Sequence, residues 1–461
     1  MNQSMSISHL FQEQQKHRTA IRNTSVSERS ALLKKLEKEL LNRRTDLQQA
    51  LFTDFRKPAM EADITELWVV LAEIRHIRKN LRNWMRPVKA DIPLAMLGTS
   101  AETVFEGKGT CLILSPWNYP VNLTFGPLAL CLAAGNTAII KPSEFTPATA
   151  ALMKSIIEKV FEPRHVTLVE GDKSVATELL ALPFDHIFFT GSPKIGRVVM
   201  EAAAKNLTSV TLELGGKSPV YIHADADVKD AASKIIAAKM VNAGQSCIAP
   251  DYLLVHKAIK EPLLRELHAA ARNFYDPSQS ANNQDYASIV SDSHFQRQLT
   301  LAGKPELTAE QNEFRILPLT FKECSGLNVP LMQEEIFGPI MPFQTVSSEA
   351  EAISIMNALD EPLSIYVFTK SGYVKKQFRK QTKSGSLCYN ECAVQFLNPA
   401  LPFGGIKNSG IGRSHGKAGF QAFSNERVYF KQRIGFTTAK LLYPPYNKWK
   451  QRLVTLLLKY F

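Results

Sequence analysis

Cys111-Leu112-Ile113-Leu114-Ser115-Pro116-Trp117-Asn118-Tyr119-Pro120 decides the fold class. Four apolar residues lead into a turn held by two prolines. The apolar stretch Asn122–Ala134 follows, closed by Gly135. That order reads as a short buried strand, a turn and a helix with a glycine stop. The unit then repeats. Thr137–Ile140, Val166–Val169 and His186–Phe189 have strand character, with helical stretches Thr146–Val160 and Lys194–Ala204 among them. Such alternation predicts an α/β fold: a parallel sheet with helices on both faces. Sheets of this kind bind ligands beyond the carboxyl ends of their strands.

Working outward, a second α/β run is expected from near Val210. It holds strand Ser209–Leu214, helix Val228–Val241, strand Tyr252–Val255 and helix Ile259–Phe274. Residues 276–330 are loop-rich, and regular signals return at Ile353–Asn357 and Ile365–Phe368. Upstream, residues 25–55 read as helix. Ser25 and Glu28 fit a capping box, and Leu32, Leu33, Leu36, Leu40, Leu47 and Leu51 have helical spacing. A second helix is expected from Ile64 to Trp84. Pro87, Pro93 and Gly98 interrupt residues 86–108, which read as a hairpin or linker outside the main body. A chain of 461 residues exceeds one compact core, so two or three domains are expected.

The net charge is +12. A basic excess can serve nucleic acid, an anionic membrane surface or an anionic cofactor. Here it is spread along the chain, and no nucleic-acid partner is expected. The six cysteines, Cys111, Cys131, Cys247, Cys324, Cys388 and Cys392, form no C-x-x-C pair and no zinc spacing with histidine. They read as free thiols of a reducing compartment, with no metal site. Residues 1–20 contain no apolar signal core, and no apolar run nears the roughly 18 residues of a membrane span. A cytoplasmic protein is expected.

Four short stretches carry chemistry. Thr190-Gly191-Ser192-Pro193-Lys194-Ile195-Gly196 follows a strand and opens a helix, so its N–H groups could meet a pyrophosphate, or it could be a plain turn. The G-x-G-x-x-G fingerprint is absent. Cys247, in Asn242-Ala243-Gly244-Gln245-Ser246-Cys247, is either an exposed nucleophile on a small-residue loop or a core cysteine. Glu213, in Leu212-Glu213-Leu214-Gly215-Gly216-Lys217, is either a buried base or the cap of the following turn. Asn118 lies between two prolines, so its amide is either rigidly aimed or spent on an Asx-turn.

Taken together, residues 117–120, 141–147, 190–196, 212–217, 242–247, 333–339 and 402–405 resemble the aldehyde dehydrogenase superfamily. The match runs in the family's order from about residue 25 to residue 445. Leu-Glu-Leu-Gly-Gly-Lys and Gly-Gln-Ser-Cys, whose glutamate and cysteine stand 34 positions apart, are specific as a pair. Asn118-Tyr119-Pro120, Ala249-Pro250-Asp251-Tyr252, Tyr443-Pro444-Pro445-Tyr446 and the short N-terminus look like the class 3 branch, which includes fatty-aldehyde enzymes. Residues 299–315 depart from the family, being short and without its glycine-rich turn.

The resemblance implies NAD(P)-dependent oxidation of aldehydes to acids, with NAD expected and NADP possible. By similarity, Cys247 forms a thiohemiacetal and then a thioester. The Asn118 amide and the Cys247 N–H hold the oxyanion, and Glu213 activates water. Gly191, Ser192 and Gly196 would meet the pyrophosphate, Lys141 and Glu144 the adenine ribose, and Glu335 the nicotinamide ribose, with Phe337 against the nicotinamide and Trp117 beside the cofactor. Pro402-Phe403-Gly404-Gly405 is either a site element or a structural turn. Tyr119, Trp68 and Met240 match positions near the substrate entrance and favour medium- or long-chain aliphatic or aromatic aldehydes.

The implied architecture places a cofactor domain at 1–85 and 108–210 and a catalytic domain at 211–424. A bridging β-ribbon would occupy 86–107 and 425–445 and join a homodimer. Residues 446–461 are a basic tail whose Trp449, Leu453, Leu456, Leu457 and Tyr460 make one apolar stripe. It suits a membrane surface, the chain's own body or a dimer partner. Rival activities are a CoA-acylating dehydrogenase, a cofactor-free cysteine hydrolase using one of the ten histidines, and a silent binding protein that keeps the fold.

Overall fold

The strand Thr110–Leu114 is buried at every position and lies at the centre of a six-stranded sheet. The order is Gly410–Ile411, Ser209–Leu214, His186–Gly191, Thr110–Leu114, Thr137–Lys141, Val166–Leu168. All neighbours are parallel except the short Gly410–Ile411 edge. The chain steps outward from Thr110–Leu114 to Val166–Leu168, then returns to the other side as His186–Gly191. That reversal opens a crevice at the carboxyl ends of Thr110–Leu114 and His186–Gly191. The computed structural model describes residues 6–93, 96–275 and 285–460. The first part of the loop-rich stretch, 276–284, lies outside the described residues, as do 1–5, 94–95 and 461.

Asn122–Ala134 is a helix with apolar side chains on every face, and all but one of its residues are buried. A helix of that kind needs cover all round. It lies between the sheet and the helices Val26–Asn42 and Val69–Trp84. Gly135, at φ +87°, ends it in the left-handed conformation that a side chain would resist. Upstream, the expected single helix over 25–55 is two helices, Val26–Asn42 and Arg44–Phe55, broken at Arg43. Ser25 and Glu28 do form the reciprocal cap.

The second sheet also has six strands and is parallel throughout. Its order is Thr320–Glu323, Ile340–Val346, Tyr252–His256, Pro219–Ile222, Ser364–Phe368, Ser386–Tyr389. The strand Ser209–Leu214 is not part of it. That strand pairs with His186–Gly191, from Ser209 opposite His186 to Leu214 opposite Gly191. The division expected after residue 210 therefore cuts through a strand of the first sheet, and the crossover comes after Leu214. At the far end, the helix Gly416–Ala422 packs on the core of the first sheet through Phe420, with Phe423 beside it, rather than on that of the second. Burial of large aromatics drew this segment back across the molecule.

A third, antiparallel sheet stands apart. Thr99–Gly107 pairs with Ser424–Gln432 over nine positions, and Val88–Lys89 adds a short edge.

Candidate active site

Loops from both large sheets meet at the crevice. From the first sheet come the Ser115–Pro120 turn, the Gly191-Ser192 turn and the Glu213–Lys217 segment. From the second come Asn242–Cys247 and Glu334–Gly338.

The cysteine loop is folded by backbone strain and by one glutamine. Asn242, Ala243 and Gly244 follow one another at φ +55°, +52° and +76°. Such a run in the left-handed region is costly for side-chain-bearing residues and persists where surroundings hold it. A Cβ on Gly244 would collide with the Gly338 carbonyl, so this glycine lets the two loops touch. The Asn242 N–H donates to Glu61 Oε1 at 2.8 Å. The Gln245 amide donates to the Asn242 and Ser288 carbonyls at 3.0 Å each, and its oxygen accepts from Val290 N–H at 3.0 Å. Cys247 follows, partly exposed.

Cys247 faces a cavity of about 330 Å³. Tyr119, Leu123, Leu130, Ile248, Phe396 and Phe403 give it an apolar lining, and Glu213 faces the same space. Glu213 arrives on a strand of the first sheet and Cys247 on the loop that leads into Tyr252–His256 of the second, so the pair exists only in the folded chain. The Glu213 side chain is buried, and neither carboxyl oxygen has a hydrogen-bond partner of normal geometry. Burial pushes its pKa up to about 8, against the weaker pull of Ser414 and Arg413. The Cys247 thiol is also raised, by burial first and then by the charges of Glu335 and Glu213.

Asn118 is buried next to Tyr119 and is not itself among the cavity-lining residues. Its side-chain amide donates to the Gln245 carbonyl at 3.1 Å, which ties the post-strand turn to the cysteine loop. The side chain is therefore spent between loops, not on an Asx-turn.

The crevice suits a dinucleotide. The strand His186–Gly191 runs into the helix Pro193–Ala204, with exposed Ser192 as its N-cap accepting from Ile195 N–H. A Cβ on Gly191 would stand 2.5 Å from the Phe189 ring, and one on Gly196 2.7 Å from Leu214. Both glycines thus allow the helix N-terminus to sit close over the sheet, where an anion is favoured. Glu335 brings its carboxylate against Gly215, and its Oε1 is buried without a partner. An orphaned acceptor there fits a sugar hydroxyl. Burial raises Glu335 to about 8. Its backbone is pinned by Arg297, which donates to the Glu335 carbonyl at 2.6 Å and to the Ile336 carbonyl at 2.9 Å. Trp117 and Phe337 meet edge to face at 5.4 Å. Lys141 donates to the Pro142 carbonyl at 2.9 Å and pairs with Glu144 at 3.1 Å.

The sequence model of the aldehyde dehydrogenase family matches residues 2–429. The chain belongs to the aldehyde dehydrogenase family. It is 38% identical over 428 residues to the 4,4'-diaponeurosporen-aldehyde dehydrogenase of Staphylococcus aureus, covering 92% of this chain and 93% of that protein. It is also 38% identical over 439 residues to aldehyde dehydrogenase family 3 member B1 of Mus musculus, covering 94% and 93%. A substrate-bound structure of Staphylococcus aureus AldH superposes with a TM-score of 0.94 at 36% identity, covering 99% of this chain and 100% of that one. The protein is an NAD(P)-dependent aldehyde dehydrogenase of the class 3-like branch.

Within this aldehyde dehydrogenase, the three residues matched to the substrate entrance part company. Tyr119 lines the cavity. Met240 does not: it is buried in the catalytic core, and its neighbour Val241 takes the lining position. The helix ends at Met240, and Val241, at φ −52° and ψ 128°, turns out of it, so core and cavity are taken by adjacent residues. Trp68 is 46% exposed and lies outside the lining. Lys57, Glu61, Glu66, Asn242 and Gln245 hydrogen-bond the post-strand turn and the Cys247 loop, and the first three lie outside every motif read from the sequence. Lys57 precedes a proline and Glu66 sits in a stretch read as ordinary helix, so no local pattern marks either. Among the described residues no helix is long and apolar enough to cross a membrane, and no cluster of metal-ligating side chains forms.

Proposed function

We propose that Cys247 is the nucleophile of this aldehyde dehydrogenase and that Glu213 hydrolyses its thioester. The observation that carries this reading is that both line one apolar cavity, though they come from different sheets. The Cys247 sulfur attacks the aldehyde carbon as the thiolate, its proton lost beforehand to water, and loss of hydride from that carbon leaves the thioester. The oxyanion is held by the Asn118 amide and the Cys247 N–H, donors whose loss typically costs on the order of 10²–10³ in rate. Bound NAD(P) supplies the hydride acceptor. Glu213, once deprotonated, takes a proton from water attacking the thioester, a role usually worth about 10²–10⁴. A carboxylate beside the thioester favours water over coenzyme A as acceptor. The cavity's aliphatic and aromatic lining favours medium- or long-chain aliphatic or aromatic aldehydes.

For the cofactor, Gly191, Ser192 and Gly196 would meet the pyrophosphate, Lys141 and Glu144 the adenine ribose and Glu335 the nicotinamide ribose, with Trp117 and Phe337 near the nicotinamide. We further propose a cytoplasmic homodimer joined through the Thr99–Gly107 and Ser424–Gln432 ribbon. In the tail helix Lys448–Tyr460 the stripe residues Trp449, Leu456 and Tyr460 are exposed, and Leu453 and Leu457 are half-buried. A membrane surface is its proposed partner, and packing on the chain's own body or on a dimer partner the alternative.

The test is Cys247→Ala with NAD and an aldehyde panel, followed by NADH absorbance. Oxidation should vanish while NADH binding, read by fluorescence titration, stays at one site per chain. Substantial turnover by the folded variant would refute the mechanism.

A further inference from the structure

Lys57 has no exposed surface. Its ammonium donates to Glu66 Oε1 at 2.6 Å and to the backbone carbonyl of Asn118 at 3.1 Å, and it stands 4.1 Å from the centre of the Tyr119 ring. The other oxygen of Glu66 accepts the N–H groups of Val121 at 3.1 Å and Asn122 at 2.9 Å. One buried ion pair thus takes three backbone groups of the segment that carries Asn118 from the central strand into the next helix. Glu66 itself lies in a six-residue π-helical turn, Asp63–Trp68. Such turns are rare and gather at functional sites.

Stability alone does not account for the pair. Burying two charges costs several kcal/mol each before their attraction offsets it, and apolar side chains of the same volume often do as well or better. What the ion pair adds is directed bonds. The Asn118 carbonyl also accepts from Asn242 Nδ2 at 2.8 Å, so it is held from the Lys57 side and from the cysteine loop at once. With its backbone held there and one amide N–H given to the Gln245 carbonyl, the Asn118 side chain keeps a second N–H in a fixed direction.

We propose that Lys57, backed by Glu66, is a positioning residue of the oxyanion site: it anchors the Asn118 backbone and so aims the Asn118 amide. This rests on the reading of Asn118 as an oxyanion donor. Lys57 touches neither substrate nor cofactor and acts through Asn118.

The experiment compares Lys57→Met, the charge-neutral pair Lys57→Met/Glu66→Gln, Asn118→Ala and Asn118→Ala/Lys57→Met. The paired change leaves no uncompensated carboxylate at position 66, so it keeps the test open if Lys57→Met fails to fold; Glu61, whose carboxyl burial raises and Lys57 pulls down, stays in both variants. Fluorescence titration with NADH counts folded sites. Stopped flow with NAD and an n-alkanal oxidised by the wild type gives the first-turnover rate constant. The paired variant should keep one NADH site per chain with wild-type affinity, while its first-turnover rate falls about tenfold to a hundredfold, the scale of a misplaced group. In the Asn118→Ala background, removing Lys57 should cost nothing further, since coupled residues are not additive. Loss of sites with a wild-type rate per remaining site would make the pair merely structural and overturn the proposal. A further slowing in the Asn118→Ala background would overturn it too. If Asn118→Ala is itself as fast as wild type, the oxyanion reading falls; if Asn118→Ala is slow and the Lys57 variants are not, only the Lys57 proposal falls.

Discussion

A Cβ on Gly404 would stand 3.2 Å from Oε1 of Glu213 and 2.8 Å from the Gly412 carbonyl, and Gly404 has φ +150°. Glycine at this position lets the Pro402-Phe403-Gly404-Gly405 turn close over the buried carboxylate, so the motif belongs to the site's wall. Gly404→Ala should destabilise the fold by about 1–3 kcal/mol through backbone strain. It should also lower kcat about tenfold or more by displacing Glu213. Thermal unfolding and steady-state rates check both, and a variant unchanged in kcat would sever the motif from Glu213.

Glu213 is expected to set a pH limb. Burial holds its pKa at about 8, and a general base works only when deprotonated, so turnover limited by hydrolysis should rise with pH and level off above about 8. Glu213→Gln should remove that limb and release about one NADH per site before stalling. Loss of the initial burst would instead assign Glu213 to thiol activation. Stability runs the other way. The folded pKa lies above the ordinary 4.5, so the folded chain holds this proton more tightly. That contribution is complete below about 4.5 and is lost as pH rises through about 8. Glu213→Gln has no proton to lose, so its melting temperature should gain on the wild type across that window.

Cofactor choice is expected to turn on Glu144. Its carboxylate can accept from a ribose hydroxyl but repels a phosphate at that position, so NAD should be preferred to NADP. Two unit charges at about 4 Å in water interact by about 1 kcal/mol. Glu144→Gln should therefore raise kcat/KM for NADP relative to NAD by about fivefold. A wild type that prefers NADP would refute the assignment.

The tail helix offers Trp449, Leu456 and Tyr460 to solvent, with Lys448, Lys450, Arg452 and Lys459 around the stripe. The full chain should co-sediment with anionic liposomes, and a chain ending at Tyr446 should not, while keeping its melting temperature. Equal and negligible sedimentation of both would exclude the membrane surface, and loss of the dimer on truncation would assign the stripe to a second copy.

Local chemistry determined much of this protein from the sequence. The apolar runs at Cys111–Leu114 and Thr137–Ile140 are strands, Gly135 stops the helix Asn122–Ala134, and Ser25 with Glu28 caps the helix at Val26. Each depends on φ/ψ preference and on side-chain spacing over a few residues, which a single segment contains. Cys247 and Glu213 drew notice through two short motifs at a set separation, and Asn118 through the two prolines that flank it. Tertiary structure alone decided which sheet took Ser209–Leu214, since the strand's own residues suit either and only its ladder with His186–Gly191 chose. It decided that Val241 and not Met240 faces the cavity, because the chain leaves its helix between them. It also brought Lys57 to the Asn118 carbonyl, 61 positions away, where no periodic pattern reaches. Long-range pairing and burial select among arrangements that local sequence leaves equal, and the convergence of the site's groups on one cavity belongs to that selection.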